Sequence, residues 1–98
     1  MVSAISVANE FIRLGKEENN FFTPMQLLKL VYIAHGWMLG FFGKPLINED
    51  VEAWKYGPVI PELYQEVKNY GREKIVNEVN SWHSFSRQPL NEEEKSVV

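Results

Sequence analysis

The stretch from Thr23 to Phe42 constrains the fold more than any other part of this chain. Thr23 supplies a capping hydroxyl, and Pro24 follows at the first helical position, where its missing N–H costs nothing. Beyond it Leu27, Leu28, Leu30, Val31, Ala34, Trp37, Met38, Phe41 and Phe42 take up more than half of a helical circumference. A helix apolar on nearly every side is expected to be buried, so this segment is predicted to be the central helix. What remains is a narrow strip holding Lys29, Ile33, Gly36 and Gly40. Each glycine there lowers helix propensity by roughly 1 kcal/mol against alanine. Close approach of another backbone, from this chain or a partner, is the usual compensation.

The flanking segments supply what packs on that helix. From Ser3 to Glu17, Ala4, Val7, Ala8, Phe11, Ile12 and Leu14 share one arc while Asn9, Glu10, Arg13 and Glu17 lie opposite, an amphipathic helix with Ser3 as N-cap. Arg13 and Glu17 are spaced to pair on its wet face. After the stop at Gly43-Lys44-Pro45, Leu46-Ile47 and Val51-Glu52-Ala53-Trp54 read as two short strands around the polar turn Asn48-Glu49-Asp50, with Gly57-Pro58 ending the hairpin. A third helix opens between Pro58 and Pro61, buries Ile60, Leu63, Tyr64 and Val67, and stops at Gly71. Glu62 and Glu66 suit its N-terminal dipole. Ile75, Val76, Val79 and Trp82 keep helical spacing, but the polar residues among them favour a frayed turn or loop. Asn91-Glu92-Glu93-Glu94 then reads as a capping box opening a last helix, four residues before Val98. The expected fold is mainly α: three to four helices with a short β-hairpin between the second and third. With 98 residues, the chain is expected to form a single domain over 1–98. The helix announced so close to the end is expected either from a chain shortened at its C-terminus or from a natural short form whose tail is disordered.

The same residues argue against several chemistries. Neither histidine stands at ligand spacing from a second His, Cys or paired carboxylate, and no nucleophile elbow, phosphate loop or dinucleotide fingerprint occurs. No catalytic centre, metal or cofactor is expected. His35 lies on the apolar arc of the central helix and reads as a core histidine bonded to a carbonyl, and His83 as an exposed one. There is no cysteine, no apolar run reaching the ~20 residues of a membrane span, and no leader-like start, which together fit a cytoplasmic protein. Ten basic against thirteen acidic side chains give a formal charge of −3. Two helices, a hairpin and a further helix have the outline of a winged DNA-binding regulator. Yet Asn48-Glu49-Asp50 is acidic where a wing needs positive charge, and the third helix offers a phosphate backbone little, so nucleic acid is the weaker alternative.

The run Thr23-Pro24-Met25-Gln26-Leu27-Leu28-Lys29-Leu30-Val31-Tyr32-Ile33-Ala34-His35-Gly36-Trp37 resembles the central helix of the Panacea antitoxin domain, a phage-associated family. Gly43-Lys44-Pro45-Leu46 is similar to that family's post-helix turn, and Glu52-Ala53-Trp54-Lys55-Tyr56-Gly57-Pro58-Val59-Ile60-Pro61-Glu62-Leu63-Tyr64 to its hallmark stretch. With the first helix the resemblance covers about residues 3–71. It implies a bacterial or prophage-encoded antitoxin of a two-gene toxin–antitoxin module that neutralises a cognate protein toxin by direct contact. In one branch the antitoxin also acts as an adaptor delivering its toxin to an ATP-dependent protease. A homodimer is a further assembly that the apolar surplus of the central helix allows.

The candidate partner surface combines Lys29, Gly36 and Gly40 with the hairpin residues Trp54, Lys55 and Tyr56. The glycine pair is otherwise unexplained, and clustered aromatics are where partner-binding energy concentrates. The structural alternative is that Trp54 closes the core, as large aromatics usually do, that Gly57-Pro58 is only a rigid turn, and that Lys29 covers apolar surface with its stem.

Overall fold

A computed structural model describes residues 2–55, 57–79 and 89–98; Tyr56, Trp82 and His83 lie outside the described residues. In chain order the elements are helix α1 (Ala4–Glu17), helix α2 (Pro24–Phe42), strands β1 (Glu52–Trp54) and β2 (Gly57–Val59), helix α3 (Pro61–Val67) with a 3-10 turn (Lys68–Tyr70), and helix α4 (Glu92–Val97). The fold is mainly helical, with a two-stranded antiparallel hairpin between α2 and α3.

The helix boundaries follow local hydrogen-bond chemistry. The Ser3 hydroxyl accepts from the Ser6 N–H at 3.1 Å. Thr23 accepts from Gln26 N–H while the Gln26 amide oxygen accepts from Thr23 N–H, a full capping box. Gly43 ends α2 in the left-handed region (φ 66°), where a side chain would be strained. Pro61 opens α3, and Ile60, Leu63 and Val67 are buried beneath it, with Tyr64 partly so. Asn91 and Glu94 make both bonds of their capping box at 2.8 Å. On the wet face of α1, Arg13 pairs with Glu17 at 3.0 Å and also with Glu10.

One core unites these pieces. α1 contributes Ala4, Val7, Ala8 and Ile12; α2 contributes Leu27, Leu28, Val31, Ala34 and Met38. Leu90 and Val97 add the last segment, whose helix α4 packs on α2.

The hairpin is displaced from its expected place. Glu52 pairs with Val59, Ala53 with Pro58 and Trp54 with Gly57, so Gly57-Pro58 belongs to the second strand rather than ending the hairpin. Gly57 has a φ of 118°, a conformation open to glycine. Leu46 and Ile47 are not a hairpin arm. They are buried core residues beside Val2, which donates its N–H to Leu46 O and accepts from Asn48 N–H, each at 3.0 Å. The acidic turn is likewise no wing tip. The Glu49 carboxylate accepts the Ala4 N–H (3.0 and 3.2 Å), placing negative charge on the N-terminus of α1.

His35 is structural, but in the opposite hydrogen-bonding sense to that expected. Its Nδ1 accepts the Leu46 N–H at 3.1 Å, holding the 43–51 segment over the core. That acceptor role requires the neutral ring, and burial lowers the imidazole pKa below its ordinary value. After Gly71 the helical spacing yields no helix up to Val79. Ile75 instead forms an isolated bridge with Phe22, and Val79 exchanges two bonds with the Asn9 amide (2.7 and 3.0 Å). Both apolar residues are buried in this way, while Val76 stays exposed.

Candidate protein-interaction surface

The central helix is not buried all round. Its inner face is sealed, but Met25, Tyr32, Ile33, Trp37, Leu39 and Phe41 are exposed, Trp37 by 56% and Phe41 by 72%. A chain of this size has too few remaining elements to cover a 19-residue helix on every side. At 100° per residue, Lys29, Gly36 and Gly40 lie within about 40° of one another on the outward face. Met25, Tyr32 and Leu39 border them on one side, Ile33 and Trp37 on the other. Trp37 and Phe41 meet edge to face, with ring centroids 6.0 Å apart.

Among the described residues, nothing packs closely on the two glycines. A Cβ built on Gly36 or Gly40 would meet nothing within 4 Å. The expected compensation by a packed backbone is therefore not made by the described part of this chain. Gly15 is the opposite case: a Cβ there would lie 2.3 Å from the Asn20 carbonyl oxygen, so α1 needs a glycine where the chain folds back.

At its N-terminal half the outward face of α2 runs into a groove against the hairpin. Met25, Leu28 and Lys29 form one wall; Trp54, Lys55, Pro58, Val59 and Tyr64 complete it around a cavity of about 330 Å³. Trp54 does not close the core. It is 41% exposed, meets Tyr64 edge to face at 5.2 Å, and donates its indole N–H to Glu52 at 3.0 Å. Of the predicted surface residues, Lys29, Trp54 and Lys55 thus share one groove, whereas Gly36 and Gly40 continue the surface along α2, and Tyr56 lies outside the described residues. Nothing in the local sequence pattern marks Met25, Leu28, Val59 and Tyr64 as groove walls, or the apolar side chains of α2 that point outward. The available signal for the latter was a helix apolar on too many sides for so short a chain.

A family model described as the antitoxin SocA-like Panacea domain matches residues 27–98. The chain belongs to this family. Among curated proteins, Antitoxin SocA of Caulobacter vibrioides (strain NA1000 / CB15N) is 38% identical to it over 76 residues, covering 78% of this chain and 40% of that protein. The chain therefore spans 40% of the length of this relative. No solved structure matches. The Panacea-domain match begins at Leu27, on α2, and takes in the hairpin, so every residue of the groove except Met25 falls within it. Among the described residues of this Panacea domain, no helix is long and apolar enough to cross a membrane, and no three His, Cys, Asp or Glu side chains are grouped to hold a metal ion.

Proposed function

We propose that this domain acts as a unit of an antitoxin and neutralises a cognate protein toxin by binding it directly. Its contact surface is the outward face of α2 around Lys29, Gly36 and Gly40 together with the hairpin residues Trp54, Lys55 and Tyr56. The observation that carries this reading is the outward glycine pair, open to a distance of 4 Å and bordered by exposed aromatic and aliphatic side chains. Large exposed apolar patches mark interaction sites, and glycines on a helix face let a partner backbone come close. Membership of the SocA-like antitoxin family supports the toxin as that partner. The engagement of Glu49 at the N-terminus of α1 and the net acidic charge favour protein over nucleic acid.

The test is co-expression with the product of the adjacent gene. Growth rescue and co-purification are expected for the native sequence. The triple change K29E/G36L/G40L should abolish both while leaving the far-UV spectrum and thermal midpoint of a folded domain. A folded triple variant that still rescues and co-purifies would refute the surface assignment. Toxin lifetime in the same cells separates the two modes of action: sequestration leaves it unchanged, and delivery to a protease shortens it.

A further inference from the structure

The groove between α2 and the hairpin has a chemistry of its own. Its walls are apolar, with Met25, Leu28, Trp54, Val59 and Tyr64, and its charged residues are Lys29 on the helix and Lys55 on the turn. Among the described residues no carboxylate lines it, although the chain as a whole carries a formal charge of −3. At about 330 Å³ the cavity is at the small end of ligand-pocket sizes, enough for one bulky side chain rather than an extended ligand. It also shares Lys29 with the outward face of α2, so a protein lying on that face passes over the groove.

We propose that this groove receives a single bulky apolar side chain of the partner protein, flanked in the partner's sequence by Asp or Glu side chains that meet Lys29 and Lys55. The proposal rests on the reading of this face as a partner surface and adds the chemistry of what is recognised. Lysines beside apolar walls attract a carboxylate more strongly than they would in open water, because the walls lower the local dielectric. The apolar pocket supplies an anchor for affinity, and the two cations select among anchors.

Three blocked heptapeptides with a central phenylalanine test this directly, flanked on each side by two aspartates, two asparagines or two lysines. Titrated into the isotopically labelled 98-residue protein, the aspartate peptide should shift the Trp54 indole resonance and the Lys29 and Lys55 amides saturably. The asparagine peptide should bind about fivefold more weakly, the sum expected of two exposed ion pairs, and the lysine peptide should not bind. K29Q/K55Q should erase the preference between aspartate and asparagine, and K29E/K55E should transfer it to the lysine peptide. Equal binding of all three peptides, no saturable binding of any, or an unchanged preference in K29Q/K55Q would overturn the proposal. Rescue of toxin-inhibited growth by the native domain is scored separately. Its failure counts against the antitoxin reading alone, because the peptide titrations do not depend on it.

Discussion

Replacing Gly36 and Gly40 together by alanine isolates what the outward face of α2 is for. In a helix interior an exposed glycine costs ~0.5–1 kcal/mol relative to alanine, because the unfolded chain loses more freedom and no side chain shields the backbone. Nothing stands within 4 Å of either Cβ position, and neither residue has a left-handed φ, so the alanines fit without strain. G36A/G40A should therefore stabilise the domain by about 1–2 kcal/mol, with the lower end favoured because Gly40 lies in the last turn, where helices fray. For a domain of this length that corresponds to a rise in Tm of ~4–16 °C. Thermal unfolding by circular dichroism, with urea midpoints at constant m-value, measures it. G15A is the internal control: its Cβ overlaps the Asn20 carbonyl oxygen, and the backbone shift this forces should destabilise by about 1–3 kcal/mol. If G36A/G40A lowers Tm, a neighbour packs on those glycines within the free protein and the open-face reasoning is wrong. If it raises Tm and weakens partner binding, the glycines are kept for the partner at the expense of the domain's own stability.

Other consequences of the packing are measurable in the same way. Asn9→Leu removes both bonds to the Val79 backbone and should cost about 1–3 kcal/mol, with faster amide exchange at Ile75 and Val79 if that segment is held as described. Unchanged exchange there would refute the tie. Glu49→Gln weakens the charged cap on the Ala4 N–H and should lower stability by ~0.5–1 kcal/mol, an effect that shrinks at high salt. For His35 the sign is set by burial: its folded pKa lies below the ordinary 6.5, so the unfolded chain takes up the proton first. Stability should be full above about pH 6.5, fall as pH drops below it, and level off once the folded ring protonates and Nδ1 can no longer accept the Leu46 N–H. Urea midpoints at pH 7.5 and 5.5 should differ less in His35→Asn than in the native protein; an equal difference in both would place the titration elsewhere.

How much of this was legible in the sequence depends on the range of the interaction. Ser3, Thr23 and Asn91 as caps, Gly43 as a stop and Pro61 as a start all act within four residues, so the local pattern contains cause and effect together. The family resemblance carried by α2 and the hairpin belongs to the same class, being a fixed order of residues along the chain. Of the candidate surface, Lys29 could be named in advance from the glycine strip of the central helix, and Trp54 and Lys55 from an aromatic and a charge side by side before the Gly57-Pro58 step. What bounds their groove could not, because Val59 and Tyr64 face Met25 and Leu28 from more than thirty residues away.

By itself the sequence determined where most helices begin and end, and that a hairpin separates the second from the third. The tertiary structure alone decided which side of α2 meets water. With apolar residues almost all round, periodicity has no preferred direction there, and the choice falls to whatever α1, α3 and α4 can cover. It also decided that Leu46 and Ile47 are core beside Val2, that Glu49 caps a helix 45 residues earlier, and that Nδ1 of His35 faces an N–H rather than a carbonyl. Each of these joins groups distant along the chain, and such pairings are fixed by how the elements pack, after the local signals have been satisfied.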